Sequence, residues 1–209
     1  MNLPFSLNDI LERVIPGSFL LAGGMLFAPA KFSNTIIPVY DIASNGFLSV
    51  AIFIALSYAI GVLCNIIAEF FPFLDNRAEA LDEDKYKDID KFEKIKFAFS
   101  DVFDVEWSEH AWRLCYGITH HTDYSSNIEL FAKLNNFCRS TLVSWLGVFV
   151  FVFINAMLEG NWSVKVWYLV LLAVGIFLFG KGARQFSGSF SSAIYESFYT
   201  WYIHKKIGK

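Results

Sequence analysis

The sequence predicts an all-α integral membrane protein. It has four transmembrane helices, a cytoplasmic helical extension between spans 2 and 3, and a C-terminal cytoplasmic helix. Three observations predict it. The 209 residues are 55% hydrophobic and 18% aromatic, with 23 phenylalanines, an excess over the composition of soluble domains. The apolar residues gather in four blocks, with a charged stretch between the second and third. Lys and Arg fall almost wholly on one side of the path these blocks define.

A helix rises 1.5 Å per residue, so a hydrocarbon core of about 30 Å takes roughly 20 apolar residues. Residues 1–71 form a first hairpin, with spans at about 14–30 and 47–71; the first is short but extends backwards through Ile10 and Leu11. A second hairpin at 141–180 has spans at about 141–158 and 162–179. Apart from Lys165 near the start of the fourth, these blocks contain no Lys or Arg, and Glu69 is their only acidic residue. Each central Asp, Lys or Arg would cost roughly 2.5–3.5 kcal/mol on insertion scales. Ala28-Pro29-Ala30 resembles a leader-cleavage site, but Asp9 and Glu12 outweigh Arg13 ahead of it, so the segment is expected to be retained.

Of the 17 Lys and Arg, only Lys31 and Lys165 occupy the two connections within the hairpins. The positive-inside rule then puts both termini and the long middle segment in the cytoplasm.

Residues 72–140 read as cytoplasmic helices. Pro72 should end or kink the second span. Ile89, Phe92, Ile95, Phe99 and Phe103 then recur every three or four residues, the mark of one packed helix face. Ser108 starts a short helix over Ala111 to Tyr116 that is expected to stop near Gly117. From Ser125 or Ser126 nothing breaks the helical pattern before Thr141, so the third span should begin well inside the cytoplasm. Arg139 would then snorkel at headgroup level. In the tail, residues 181–209, Phe186, Phe190, Ile194, Phe198 and Tyr202 repeat every four positions opposite a Ser-rich face. That stripe suits packing on the cytoplasmic helices more than lying on the inner leaflet.

Candidate chemistry is sparse, and the protein is expected not to be an enzyme. His110, His120 and His121 cluster with Cys115 and Asp123, but no metal-ligand spacing is present, so neither metal nor other cofactor is expected. Cys64, Cys115 and Cys138 are an odd number without CxxC spacing, and no disulfide is expected. The formal charge of −3 argues against general nucleic-acid binding. Asn65, Glu69 and Asn155 are the pore or gate candidates, because polar groups at membrane depth face protein or water. Gly17, Gly23, Gly24, Ser57 and Gly61 are candidates for close helix contact or oligomerisation. Arg113, His120, His121 and Arg139 are candidates for sensing a cytoplasmic signal.

Two resemblances add expectations. Arg113 followed by His120 resembles the R-x4–6-H motif of HEPN ribonucleases, which implies a weak alternative as a membrane-tethered nuclease. Leu11-Glu12-Arg13-Val14-Ile15-Pro16-Gly17 and Tyr58-Ala59-Ile60-Gly61 resemble segments of small four-span proteins of bacterial anti-phage systems. The membrane effector of the Hailong system is the nearer likeness and the membrane subunit of the Kiwa system the rival. The first implies a homo-oligomeric channel, a tetramer as first guess, held by a cytoplasmic regulatory protein or its nucleotide product. The second implies a scaffold that recruits a soluble partner.

Overall fold

The computed structural model describes residues 9–27, 46–71, 89–108, 111–120, 125–160 and 162–207. Among them there is no strand. A π-turn at Ile10–Val14 leads into α1 (Ile15–Phe27). There follow α2 (Gly46–Glu69), α3 (Ile89–Phe103), α4 (Ala111–Thr119), α5 (Ser125–Glu159) and α6 (Trp162–Ile207). Four stretches are long and apolar enough to cross a bilayer: Ile10–Phe27, and parts of α2, α5 and α6. The architecture is that of a multi-pass membrane protein. Pro72, and the Ala28-Pro29-Ala30 segment, lie outside the described residues.

The chain divides into two compact units, residues 1–72 with 136–183, and residues 73–135 with 184–209. In the first unit, α1 and its π-turn pack on α2. The π-turn has a local cause. Pro16 supplies no N–H, and its ring displaces the carbonyl four residues back. The ladder opens there, and Ile15 N–H reaches five residues back to Ile10 O. Small residues set the spacing of this unit. A Cβ on Gly17 would overlap the Ser57 carbonyl, and one on Gly61 would overlap the Arg13 carbonyl. Gly23 lies under Val148, Gly147 under Leu20 and Gly175 under the Trp145 ring. Cys64, Ala68 and Val143 form one buried cluster, and Val148, Val152 and Leu172 another. Gly160, at φ +71°, turns α5 into α6.

The second unit has a conventional core: Ile95, Phe99, Ala111, Cys115, Ile128, Phe190, Ile194, Tyr195 and Phe198 are buried together. Trp107 stacks among Phe92, Phe99 and Tyr195 at ring separations of 5.0–5.5 Å. The face read from α3 is the buried one for Phe92, Ile95 and Phe99. The tail stripe packs into the same core through Phe190, Ile194 and Phe198.

Three local expectations are corrected. The short helix does not stop at Gly117 but runs to Thr119. Ala111, Cys115 and Thr119 form its buried face, and the Thr119 hydroxyl donates to Cys115 O at 3.0 Å, so packing outweighs the glycine's cost. The C-terminal helix is not separate; α6 is one helix of 46 residues. The chain's last proline is Pro72, so no residue after it removes a backbone donor from α5 or α6. The tail serines do not all lie opposite the stripe either, since Ser187 and Ser191 are buried beside it.

Candidate functional site

The first unit brings three ionisable or phenolic side chains together where α1 crosses α2. Asp9 and Arg13 stand one turn apart, with Arg13 Nη1 3.1 Å from Asp9 Oδ1. The same nitrogen donates to the Tyr58 hydroxyl. The guanidinium also lies over the Tyr58 ring, 5.4 Å from its centroid. Glu12 belongs to the same π-turn. The pair keeps about a third of its side-chain surface, 36% for Arg13 and 31% for Asp9.

Its place beside an apolar stretch makes this cluster unusual. The glycine contacts lock the register: the Arg13 carbonyl seats on Gly61 and the Ser57 carbonyl on Gly17, and neither can slide without a backbone collision. Tyr58 stands at the middle of the 24-residue α2, roughly 17 Å from either end at 1.5 Å per residue. The contact of Arg13 with Tyr58 therefore falls at mid-height of α2. By sequence alone, Arg13 counts as lying ahead of the first span. The structure sets it, with Glu12, inside the long apolar stretch Ile10–Phe27. The signal was there in the shortness of the block from residue 14, which needed the Ile10 turn to reach spanning length.

The residues named from sequence fall elsewhere. Asn65 Oδ1 accepts from the Ser140 hydroxyl at 3.3 Å, while Glu69 is exposed at the end of α2. Nearby, Ser144 Oγ lies 3.0 Å from Ser140 O and 3.4 Å from Cys64 Sγ. Asn155 is buried at the α5–α6 turn, donating to Glu159 Oε1 at 3.1 Å. Lys165 closes this turn with bonds to Asn155 O and Glu159 Oε2 at 3.2 and 3.1 Å. Arg139 does not snorkel. It is buried, with Nη2 donating to Ala68 O at 2.8 Å, where the C-terminal carbonyls of α2 leave partial negative charge. Gly17, Gly23, Ser57 and Gly61 are all contacts within one chain, and Gly24 packs on Phe151.

In the second unit, Arg113 and His120 are both exposed, seven positions apart. Because α4 runs on to Thr119, that spacing puts them on nearly one face, about 10 Å apart along the axis. Arg113 lies over the Trp112 ring at 5.5 Å, and His120 packs on Tyr116 at 5.0 Å. His110, His121 and Asp123 lie outside the described residues. Among the described residues no group of three His, Cys, Asp or Glu could hold a metal. The three cysteines are free and buried. Burial pushes the Cys115 thiol far above its ordinary range, so it is not a nucleophile. An open cleft of about 390 Å³ between α3 and the end of α6 is lined by Asp90, Glu93, Lys94, Phe97, Tyr199 and Tyr202. No family model, curated protein or solved structure matches this chain.

Proposed function

We propose that the protein is a homo-oligomeric membrane channel, a non-enzymatic effector that permeabilises the membrane it inhabits. The observation that carries this reading is the Asp9–Arg13 pair held on Tyr58, with Arg13 inside the apolar stretch Ile10–Phe27. A charged pair that keeps a third of its surface cannot rest against acyl chains, where it would cost several kcal/mol per charge. Intramembrane charges face protein or water, and a ring of neighbouring copies around an aqueous path supplies both. The outward surfaces fit such assembly in lipid, since Trp167, Leu171 and Phe177 on α6 are exposed and apolar.

The distribution of Lys and Arg supports cytoplasmic termini and a cytoplasmic second unit. The likeness to anti-phage membrane effectors supplies a setting in the bacterial inner membrane, with a soluble regulator acting on the second unit. Helices α5 and α6 pass from one unit to the other without a break.

Membrane-potential dye recordings on cells induced to express the protein test the proposal. Depolarisation is the expected result; an unchanged potential in cells that the protein nonetheless kills would refute it. A second reading, a membrane scaffold for a soluble partner, draws on the cleft beside the exposed Phe97. It is favoured if the protein co-purifies with a partner while conducting nothing. A ribonuclease built on Arg113 and His120 is excluded if His120→Ala leaves the phenotype intact.

A further inference from the structure

We infer that the cleft between α3 and the end of α6 is a contact between two copies of this chain. Phe97 of each copy meets the other across a two-fold axis, and Lys94 of each pairs with Asp90 of the other. This rests on the homo-oligomer part of the reading above and goes beyond it by naming one subunit contact and the side chains that make it.

The two helices that form the cleft run side by side in the same direction. Lys91 bonds Glu196 at 2.9 Å and Lys206 lies 3.5 Å from Asp101, and both pairs are 105 positions apart in sequence. The helices therefore keep one register for about 15 Å. With Phe92, Ile95 and Phe99 turned into the core, α3 leaves Asp90, Glu93, Lys94 and Phe97 on its outer face. Phe97 exposes 66% of its surface even though Lys206 lies 5.9 Å from its ring centroid. Tyr199 and Tyr202 wall the cleft beside it. An exposed ring next to two others is the kind of aromatic centre that interfaces bury.

The charges around that centre say what covers it. Glu93 is paired with Lys96 at 3.1 Å, and Lys206 is held by Asp101. Among the described residues, Asp90 and Lys94 make no hydrogen bond or ion pair, and they stand one turn apart on the cleft wall. A partner of a single charge sign would satisfy one of them and repel the other. A second copy satisfies both, because a two-fold contact presents each patch to itself and a patch carrying both signs is self-complementary. With the axis alongside α3, the two Phe97 rings meet at equal height. Each Lys94 then reaches the Asp90 one turn away on its neighbour, as flanking charges do in parallel coiled coils. Six lining side chains are fewer than the roughly 20–30 per side of a self-sufficient interface, so this contact acts together with others in the assembly.

The test uses full-length protein in membranes, with Cys64, Cys115 and Cys138 replaced by alanine, and a short bifunctional maleimide. Phe97→Cys should give a cross-linked species of twice the chain mass, while Leu130→Cys, exposed on α5, should stay at one chain mass. Ser100→Cys, one turn further along α3 with Phe97 intact, gives the same readout if Phe97→Cys removes too much of the contact. Adding Lys94→Asp sets like charges across the axis and should cut the cross-linked fraction about fivefold or more. Asp90→Lys with Lys94→Asp exchanges the two signs, keeps the patch self-complementary and should restore it. Monodisperse elution in detergent checks that each variant is folded. No cross-link from either α3 position in protein that still elutes as an oligomer, or a cross-link that the charge change leaves untouched, overturns this contact and leaves the homo-oligomer standing. A cross-link to a different protein puts another partner in the cleft and also overturns it. Protein that elutes as a single chain throughout overturns the homo-oligomer reading, and this contact with it.

Discussion

The Arg13 and Ser57 carbonyls each rest on a glycine of the opposite helix, so these two positions have no room for a methyl group. Gly17→Ala or Gly61→Ala must push the two backbones apart, and overpacking of this kind costs about 1–3 kcal/mol. Gly24 is different: a Cβ there would sit 3.5 Å from the Phe151 ring, an ordinary contact. Thermal unfolding in detergent should therefore show a marked fall in Tm for the first two variants and almost none for Gly24→Ala. Sequence could nominate all these glycines as close contacts but could not rank them, because the ranking depends on which atom lies opposite. A second residue-scale prediction concerns Asp101. The Tyr202 hydroxyl donates to its carboxylate at 2.7 Å and the Lys206 ammonium lies 3.5 Å away. Together, the hydroxyl first, they hold its pKa below the ordinary value. A depressed folded-state pKa gives stability that is present above the unfolded value near 4 and lost as pH falls through the folded one. Asp101→Asn should flatten some of the decline in Tm below about pH 4.

Among the elements, α4 shows where pattern reading meets its limit. Glycine carries a real helix penalty, yet α4 continues through Gly117 because Thr119 belongs to its buried face. A Cβ on Gly117 would meet nothing within 4 Å. Gly117→Ala should thus stabilise the second unit by about 1 kcal/mol, read as a higher Tm. The α3 face was legible because its period of three to four is a local property; the length of α6 was not, since the apolar block ends at Phe179 and the amphipathic stripe after it reads as a separate segment. Arg139 makes the same point from the other side. It sits where a span enters, the place where a long cation is expected to reach for headgroups, but the open carbonyl end of α2 is nearer. Arg139→Met keeps the stem and removes the donor to Ala68 O, and should cost about 2 kcal/mol in detergent-solubilised protein.

Over the whole molecule, the four long apolar stretches were readable from composition, because burial in lipid demands length and hydrophobicity before anything else. The candidate site was not. Asp9 and Arg13 lie at the start of the first apolar stretch, and only their register against α2 reveals that Arg13 meets Gly61 and Tyr58. Polar residues that looked exceptional, Asn65 and Asn155, are engaged with Ser140 and Glu159. The proposed channel therefore stands or falls on whether water reaches Arg13. Substituted-cysteine labelling in bilayers measures this, in a background with Cys64, Cys115 and Cys138 replaced by alanine. Arg13→Cys should react with a charged, membrane-impermeant thiol reagent, while Leu171→Cys, exposed on the apolar face of α6, should not. Protection of both positions in assembled protein would contradict an aqueous path past the cluster.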